Sequence, residues 1–185
     1  MASSELIMTE GSAPSTPASG KSKLFFNSSK NPASIDDTGR TIDLVIGPAT
    51  YQATPGNPTG TTNTSGLMAG LAGAITPAFS GRVMIIISGR ITNSGGTAGQ
   101  GAAAAIRYGT GSAPANGAAL TGTEIGNITA MLLERSTASD PFPFTCSALV
   151  TGLVLGTAYW IDLRQAASVG GTGVVSNISI SAFEV

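Results

Sequence analysis

Apolar and polar residues alternate in short runs along most of this chain, and glycine-rich turns separate the runs. Successive side chains of a β-strand point to opposite faces, so a period of two indicates strands with one buried face. The 185 residues include 25 glycines and 10 prolines, which supply frequent turns. Seven or eight strands in the last ~120 residues, with no convincing helical run, predict an all-β fold, a jelly-roll-like β-sandwich.

Three runs near the C-terminus carry the pattern most clearly. In the run 142–150 we expect the inward residues to be Phe142, Phe144, Cys146, Ala148 and Val150. In the run 159–164 we expect them to be Tyr159, Ile161 and Leu163, which alternate with Trp160, Asp162 and Arg164. In the last run we expect them to be Val174, Ile178, Ile180 and Ala182. These residues supply one side of the predicted core.

The run 82–92 is apolar on both faces. One face carries Val83, Ile85, Ile87 and Ile91, and the other carries Met84 and Ile86. A strand that is apolar on both faces is buried on both, so the second face is expected to meet another sheet or another copy of the chain. Met84 and Ile86 are therefore candidate oligomer-interface residues. Trp160, in the run 159–164, is the third candidate.

Composition divides the chain into three parts. Residues 1–46 form an N-terminal arm, rich in Ser, Ala and Pro up to residue 22, followed by three short strand-like pieces with a turn at Asp36–Gly39. Residues 47–66 are rich in Pro, Gly and Thr and are interpreted as a linker. Residues 67–185 are expected to form the sandwich.

The charge content restricts the partners and the location of the chain. Only 10% of the residues are charged and the net charge is −1, which argues against a nucleic-acid partner. No apolar run is long enough to span a membrane, and the N-terminus lacks the pattern of a signal peptide. We expect a protein that remains in the cytosol until it joins an assembly.

The sequence offers little for catalysis or metal binding. The absence of histidine and the single cysteine, Cys146, remove the usual general bases, nucleophile pairs and zinc sites, so we expect no enzyme, cofactor or metal. Residues 15–22 resemble a phosphate-binding loop only superficially, and Asp36 and Asp37 fit a hairpin turn better than a calcium loop. Arg107, Tyr108 and Trp160 could form a sugar-stacking platform, but their alternating strand context favours packing.

Two stretches resemble proteins of the tailed-bacteriophage virion surface. Residues 10–44 contain a Pro/Ala arm, Gly20-Lys21, a strand and Asp36-Asp37-Thr38-Gly39, and resemble a short N-terminal hairpin module of such proteins. The segments 75–93, 104–122 and 152–163 are similar to a β-sandwich module of phage fibre and head-surface proteins. The resemblance implies a virion component, assembled in the host cytoplasm and located on the capsid surface, without chemical activity.

The resemblance also implies the partners. The leading expectation is a capsid decoration (cement) protein that binds the major capsid protein as a homotrimer and stabilises the shell. The candidate capsid-anchor residues all lie in the N-terminal module: Leu24, Phe25, Phe26, Ile35 and Ile42. The alternative is a tail- or head-fibre tip that binds a host receptor, with a glycan as the expected receptor, and a polysaccharide lyase or hydrolase is a remote third class. The loops 109–122 and 166–173 lack aromatic residues and Asp, which favours the decoration role.

Overall fold

The computed structural model describes residues 14–26, 32–43, 47–95, 100–132 and 141–185. All regular structure in these ranges consists of β-strands, and none of it is a helix able to cross a membrane. The chain divides into two units, residues 1–47 and residues 48–185. The predicted all-β class is confirmed.

The first unit is a three-stranded antiparallel sheet. Strands β1 (Lys23–Phe26), β2 (Pro32–Ile35) and β3 (Thr41–Asp43) lie in the order β1-β2-β3. The turn before β3 forms because Asp36 accepts hydrogen bonds from the backbone N–H of Thr38 and Arg40 and from the Thr38 hydroxyl. The side chain of Thr38 and the backbone of Arg40 are the main causes that lower the pKa of Asp36.

The part of the arm that the structure describes is more ordered than the composition indicates. Residues 14–22 contain no strand, yet Pro17 is buried and Gly20 donates its backbone N–H to Asp37 at 2.6 Å. Lys23 also donates to the backbone and side chain of Ser15. This segment therefore packs on the sheet through contacts that no local sequence pattern encodes.

The second unit is a two-layered sandwich. Its strands are β4 (Thr50–Ala53), β5 (Leu67–Met68), β6 (Gly73–Ile75), β7 (Val83–Asn93), β8 (Gly101–Thr110), β9 (Thr123–Leu132), β10 (Phe142–Val150), β11 (Tyr159–Ser168) and β12 (Gly173–Glu184). The first sheet has the order β10-β7-β12-β4, and the second has the order β5-β11-β8-β9 with β6 also paired to β11. If β5 and β6 count as one interrupted strand, the strands of this unit pair from the outside of the sequence inward: β4 with β12, β5/β6 with β11, β7 with β10, and β8 with β9. This wrapped antiparallel pairing is a jelly roll, as predicted.

The core lies between the two sheets and follows the sequence pattern closely. Ile85, Ile87, Phe144, Val150 and Ile161 are all buried in one cluster, as the alternating runs predict. Phe142, at the start of β10, is one exception, with 47% of its surface exposed. The period of two identifies inward positions along a strand but not where the opposite sheet ends.

A β-bulge in β12 changes one predicted core position. The sequence pattern placed Val174 inward, but the structure buries Val175 and leaves Val174 only half-buried. The register shifts between Ser176 and Ser179, and Asn177 adopts a left-handed backbone with φ of 49°. One extra residue reverses the alternation, so Val175 lies on the same face as Ile178.

Residues 47–66 do not behave as a simple linker. Strand β4 pairs with β12, where Ala53 lies opposite Ile180, and Thr61 exchanges two backbone hydrogen bonds with Gly173. The linker interpretation is therefore wrong for these positions. Composition does not reveal this strand, because a strand of four residues at a sheet edge needs only backbone pairing and a partly buried face.

Candidate assembly surface

The described residues contain no group of three or more acidic or sulfur side chains placed to hold a metal ion. What stands out instead is exposed apolar surface. Monomeric proteins expose few contiguous apolar patches larger than a few hundred Å², and larger patches mark interaction sites. The candidate functional site of this chain is therefore a surface.

An apolar band crosses the outer face of the first sheet. Leu149 of β10 lies opposite Met84 of β7, which in turn lies opposite Phe183 of β12. Leu149 is 42% exposed, Phe183 is 36% exposed, and Met84 and Ile86 are half-buried. We call Met84, Ile86, Leu149 and Phe183 the apolar band. Met84 and Ile86 were expected on this face from the sequence.

Sequence reasoning missed the other half of the band. Leu149 occupies an outward position otherwise held by Thr145 and Ser147, so the local pattern singles out neither it nor Phe183. They meet Met84 only because three strands, distant in sequence, pair in this register. Directly opposed side chains on adjacent strands have Cβ atoms about 5 Å apart, so the three form a continuous row.

Two loops at one end of the sandwich extend this apolar surface. The apical loops, 76–82 and 151–158, are joined because Gly156 donates its backbone N–H to Pro77 at 2.7 Å and Leu153 donates to Gly81 at 3.0 Å. Their most exposed large apolar side chains are Phe79 at 70%, Val154 at 63% and Leu155 at 39%. These side chains bury little of their apolar surface within a single chain.

Glu184, at the end of β12, holds the loop that carries Phe79. Its side chain is buried, and its carboxylate accepts backbone N–H groups from Ala49, Ala78, Phe79, Ser80 and Gly81 at 2.8–3.3 Å. Burial alone would raise the pKa of Glu184, but these donors outweigh it and lower the pKa to about 2. The loop is thus wrapped around a carboxylate that is ionised at neutral pH.

Trp160 does not belong to an exposed surface. It is 5% exposed, its indole Nε1 donates to the backbone oxygen of Thr110 at 3.0 Å, and Gly109 and Gly122 lie against its ring. The interface assignment of Trp160 is therefore incorrect within this chain, since the loop that contains Gly122 already covers the ring. Glycine permits that cover because any Cβ at Gly122 would collide with the indole.

The suggested stacking platform does not form either. Arg107 donates to the backbone oxygens of Thr121 and Gly122 and forms an ion pair with Glu124 at 3.1 Å. Its guanidinium group therefore fastens the loop that covers Trp160. Tyr108 packs at a tilted angle against Tyr159, with ring centroids 6.2 Å apart.

Among the described residues of the sandwich, Asp162 is the second buried carboxylate. It accepts the backbone N–H groups of Gly70, Leu71 and Leu163 at 2.7–3.0 Å. Burial raises the pKa of Asp162, and these three hydrogen bonds offset the shift only in part. The arrangement fixes the segment before β6 to β11, and no described cation pairs with this carboxylate.

The candidate anchor residues of the first unit divide into two groups. Leu24 is 63% exposed, whereas Phe25 and Ile35 are buried together with Ala33 in a small cluster of their own. Phe26 is half-buried, and the side chain of Ile42 lies outside the described part of the chain. Of the described side chains in this set, Leu24 is the most exposed and is available to a partner, while Phe25 and Ile35 hold the unit together.

Comparison with known proteins yields likenesses of fold. No protein-family model and no curated sequence matches the chain. The structure of Eiger TNF from S. frugiperda matches with a TM-score of 0.40 and 8% identity, covering 75% of this chain and 91% of that chain. A chain of infectious bursal disease virus, Gx strain, matches with a TM-score of 0.45 and 14% identity over 78% of this chain. The present chain spans about a third of that viral chain, 35%. At these scores the jelly-roll assignment rests on the strand pairing itself.

Proposed function

We propose that this chain is a structural virion protein without enzymatic activity, a capsid decoration protein of a tailed bacteriophage. Copies of the sandwich associate as a homotrimer, and the first unit attaches each copy to the major capsid protein on the capsid surface. Each trimer then makes several linked contacts with the shell, so weak single contacts add up to tight binding. The sequence resemblance supplies the phage assignment and the number of three.

The observation that carries the proposal is the apolar band. Met84, Leu149 and Phe183 form one apolar row on a sheet face, which favours self-association. The chain also has few charged residues, so electrostatic repulsion between copies is weak. Closed cyclic assemblies are the usual result when one surface patch repeats in identical copies. Surface of this kind supports a role in assembly, because large exposed apolar patches mark interaction sites.

The first unit supports the attachment role. It forms a separate three-stranded sheet, and the buried apolar cluster among its described residues consists of Phe25, Ala33 and Ile35. Such a small core gains stability when a partner covers it. Leu24 projects from its edge strand β1, where both backbone pairing and apolar contact with a partner are available.

Shell binding tests the proposal. Full-length protein is added to phage shells that lack it, and bound copies are counted together with the temperature at which the shells break. We expect saturation at hundreds of copies per shell and an increased breakage temperature, because a ligand of the assembled state stabilises that state. The variant Leu24→Ser should bind at least tenfold more weakly. Thr41→Ser, an exposed change in the same sheet, serves as the control.

The outcome separates the two candidate roles. If the protein leaves the shells unbound but adheres to host cells, or is present at only a few copies per particle, the decoration role is wrong and the fibre-tip alternative replaces it. If Leu24→Ser binds shells as tightly as the wild-type chain, the first unit is not the point of attachment.

A further inference from the structure

The exposed apolar residues of the sandwich lie mostly at one end. The apical patch consists of Phe79, Val154, Leu155 and Val185, the last of which is 48% exposed. Val185 donates its backbone N–H to Arg82 at 3.0 Å, in the loop that also carries Phe79. It follows Phe183 by two residues, so the patch continues the apolar band along β12.

The size of this combined surface fits a contact between copies. A large apolar side chain has about 200 Å² of surface when fully exposed. Multiplied by the exposed fractions of the residues in the patch and the band, this gives an exposed apolar area on the order of 500 Å². Each side of a stable interface buries about 800 Å², and about 65% of a homodimer interface is apolar. The available area therefore matches what one copy contributes to such an interface.

The charges of the apical loops favour the same occupant. Among residues 76–82 and 151–158 the only charged side chain is that of Arg82. A nucleic acid or an anionic membrane would require several clustered cations here. A second copy brings a surface whose apical loops carry the same single charged side chain, so joining the two copies buries few charges.

We propose that the apical patch is the centre of the surface through which copies of this chain associate, with Phe79 as its anchor and Glu184 as the residue that holds Phe79 in place. The inference rests on the proposed self-association and extends it from the sheet face to the end of the sandwich. One buried carboxylate fixes four backbone N–H groups of this loop, those of residues 78–81, which makes the loop rigid before binding. A rigid anchor loses little conformational entropy on association.

The test measures self-association of the full-length protein by sedimentation velocity over a concentration series. Phe79→Ser should weaken association at least tenfold without unfolding the protomer, because Phe79 is already exposed. Phe142→Ser is the matched control, since Phe142 is also exposed but lies at the other end of β10, opposite Ile91 rather than Val83. It should change association less than threefold.

A double-mutant cycle tests the role of Glu184. Glu184→Gln should weaken association in the wild-type chain several-fold, yet have little further effect once Phe79 is replaced by Ser, because both changes then act on the same contact. Equal effects of Glu184→Gln in both backgrounds would overturn the positioning role. Glu184 would then contribute to the stability of the single chain and not to the position of Phe79.

The remaining outcomes distinguish this inference from the proposed function. If Met84→Lys abolishes association but Phe79→Ser does not, the apical inference is wrong and the sheet interface stands. If Phe79→Ser abolishes association while neither protein binds shells, the apical contact stands and the decoration role is wrong. Loss of binding to neutral phosphatidylcholine vesicles in Phe79→Ser, with self-association unchanged, would overturn the inference in favour of a lipid surface.

Discussion

The carboxylate of Glu184 accepts the backbone N–H of Phe79 at 3.0 Å, although 105 residues separate the two in the sequence. Through this contact the last strand of the jelly roll determines the position of an exposed aromatic side chain in the loop between β6 and β7. The same carboxylate also binds Ala49, which precedes β4. One acidic residue thus fixes two loops at the end of the sandwich.

The Glu184 contact predicts a specific pH dependence of stability. The folded-state pKa of about 2 lies below the ordinary value of 4.5, so the ionised form favours folding. Its contribution is complete above about pH 5 and is lost as the pH falls towards 2. Urea unfolding at pH 6 and pH 2.5 should therefore show a steeper acid loss for the wild-type chain than for Glu184→Gln.

The variant supplies its own control, because all other carboxyl groups titrate alike in both proteins. At pH 6 we expect Glu184→Gln to unfold about 3 kcal/mol more easily, since an amide presents hydrogen atoms to backbone donors. Parallel stability curves for the two proteins between pH 6 and pH 2.5 would contradict the assignment of the low pKa to Glu184.

Gly122 should be sensitive to the smallest substitution. Its φ is +67°, and a Cβ would collide with the Trp160 ring and the backbone oxygen of Tyr108. We expect Gly122→Ala to destabilise the sandwich by about 2–4 kcal/mol, the sum of backbone strain and overpacking. Because Trp160 is the single tryptophan, its fluorescence reports both unfolding and exposure of the ring.

Gly111→Ala is the matched control for this effect. Gly111 also has a positive φ, +80°, but nothing lies within 4 Å of its Cβ position. Its substitution should cost about 1–2 kcal/mol and leave the emission maximum of Trp160 unchanged. An equal loss of stability in the two variants would show that the ring contact is unimportant.

Truncation of the core should be costly on the inner face of β7. Ile87 is fully buried between the sheets, so Ile87→Ala should reduce the free energy of unfolding by about 3 kcal/mol. Ile128→Ala, at a position that is 50% exposed on β9, should change it by less than about 0.5 kcal/mol. Chemical denaturation of both variants checks the prediction, and similar costs would argue against the two-sheet packing.

Met84→Lys should disrupt association through the apolar band. A lysine in the row between Leu149 and Phe183 would place a charge against another copy, so we expect monomers or insoluble protein. Ser88→Lys, farther along the same face of β7, should leave the oligomer intact. Light scattering coupled to size-exclusion chromatography measures both, and an unchanged, stable oligomer in Met84→Lys would rule out the band as an interface.

The candidate site was only half visible in the sequence. Met84 and Ile86 were identified because they interrupt the alternation of their own strand, which is a local signal. Leu149, Phe183 and Phe79 give no such signal, since isolated apolar residues in outward or loop positions are common. Trp160 was placed wrongly because alternation does not reveal that a distant loop with Gly122 covers it.

The sequence by itself determined the all-β class, the approximate strands and the buried positions of Ile85, Ile87 and Phe144, because a period of two is encoded residue by residue. Only the tertiary structure decided the wrapped strand order, the bulge at Asn177 and the incorporation of β4 into the sandwich. It also decided that Glu184 reaches Phe79 and that Leu149, Met84 and Phe183 share one row. Those contacts join segments far apart in the sequence, 105 residues in the case of Glu184 and Phe79. Their free energy depends on register and on groups absent from the local pattern.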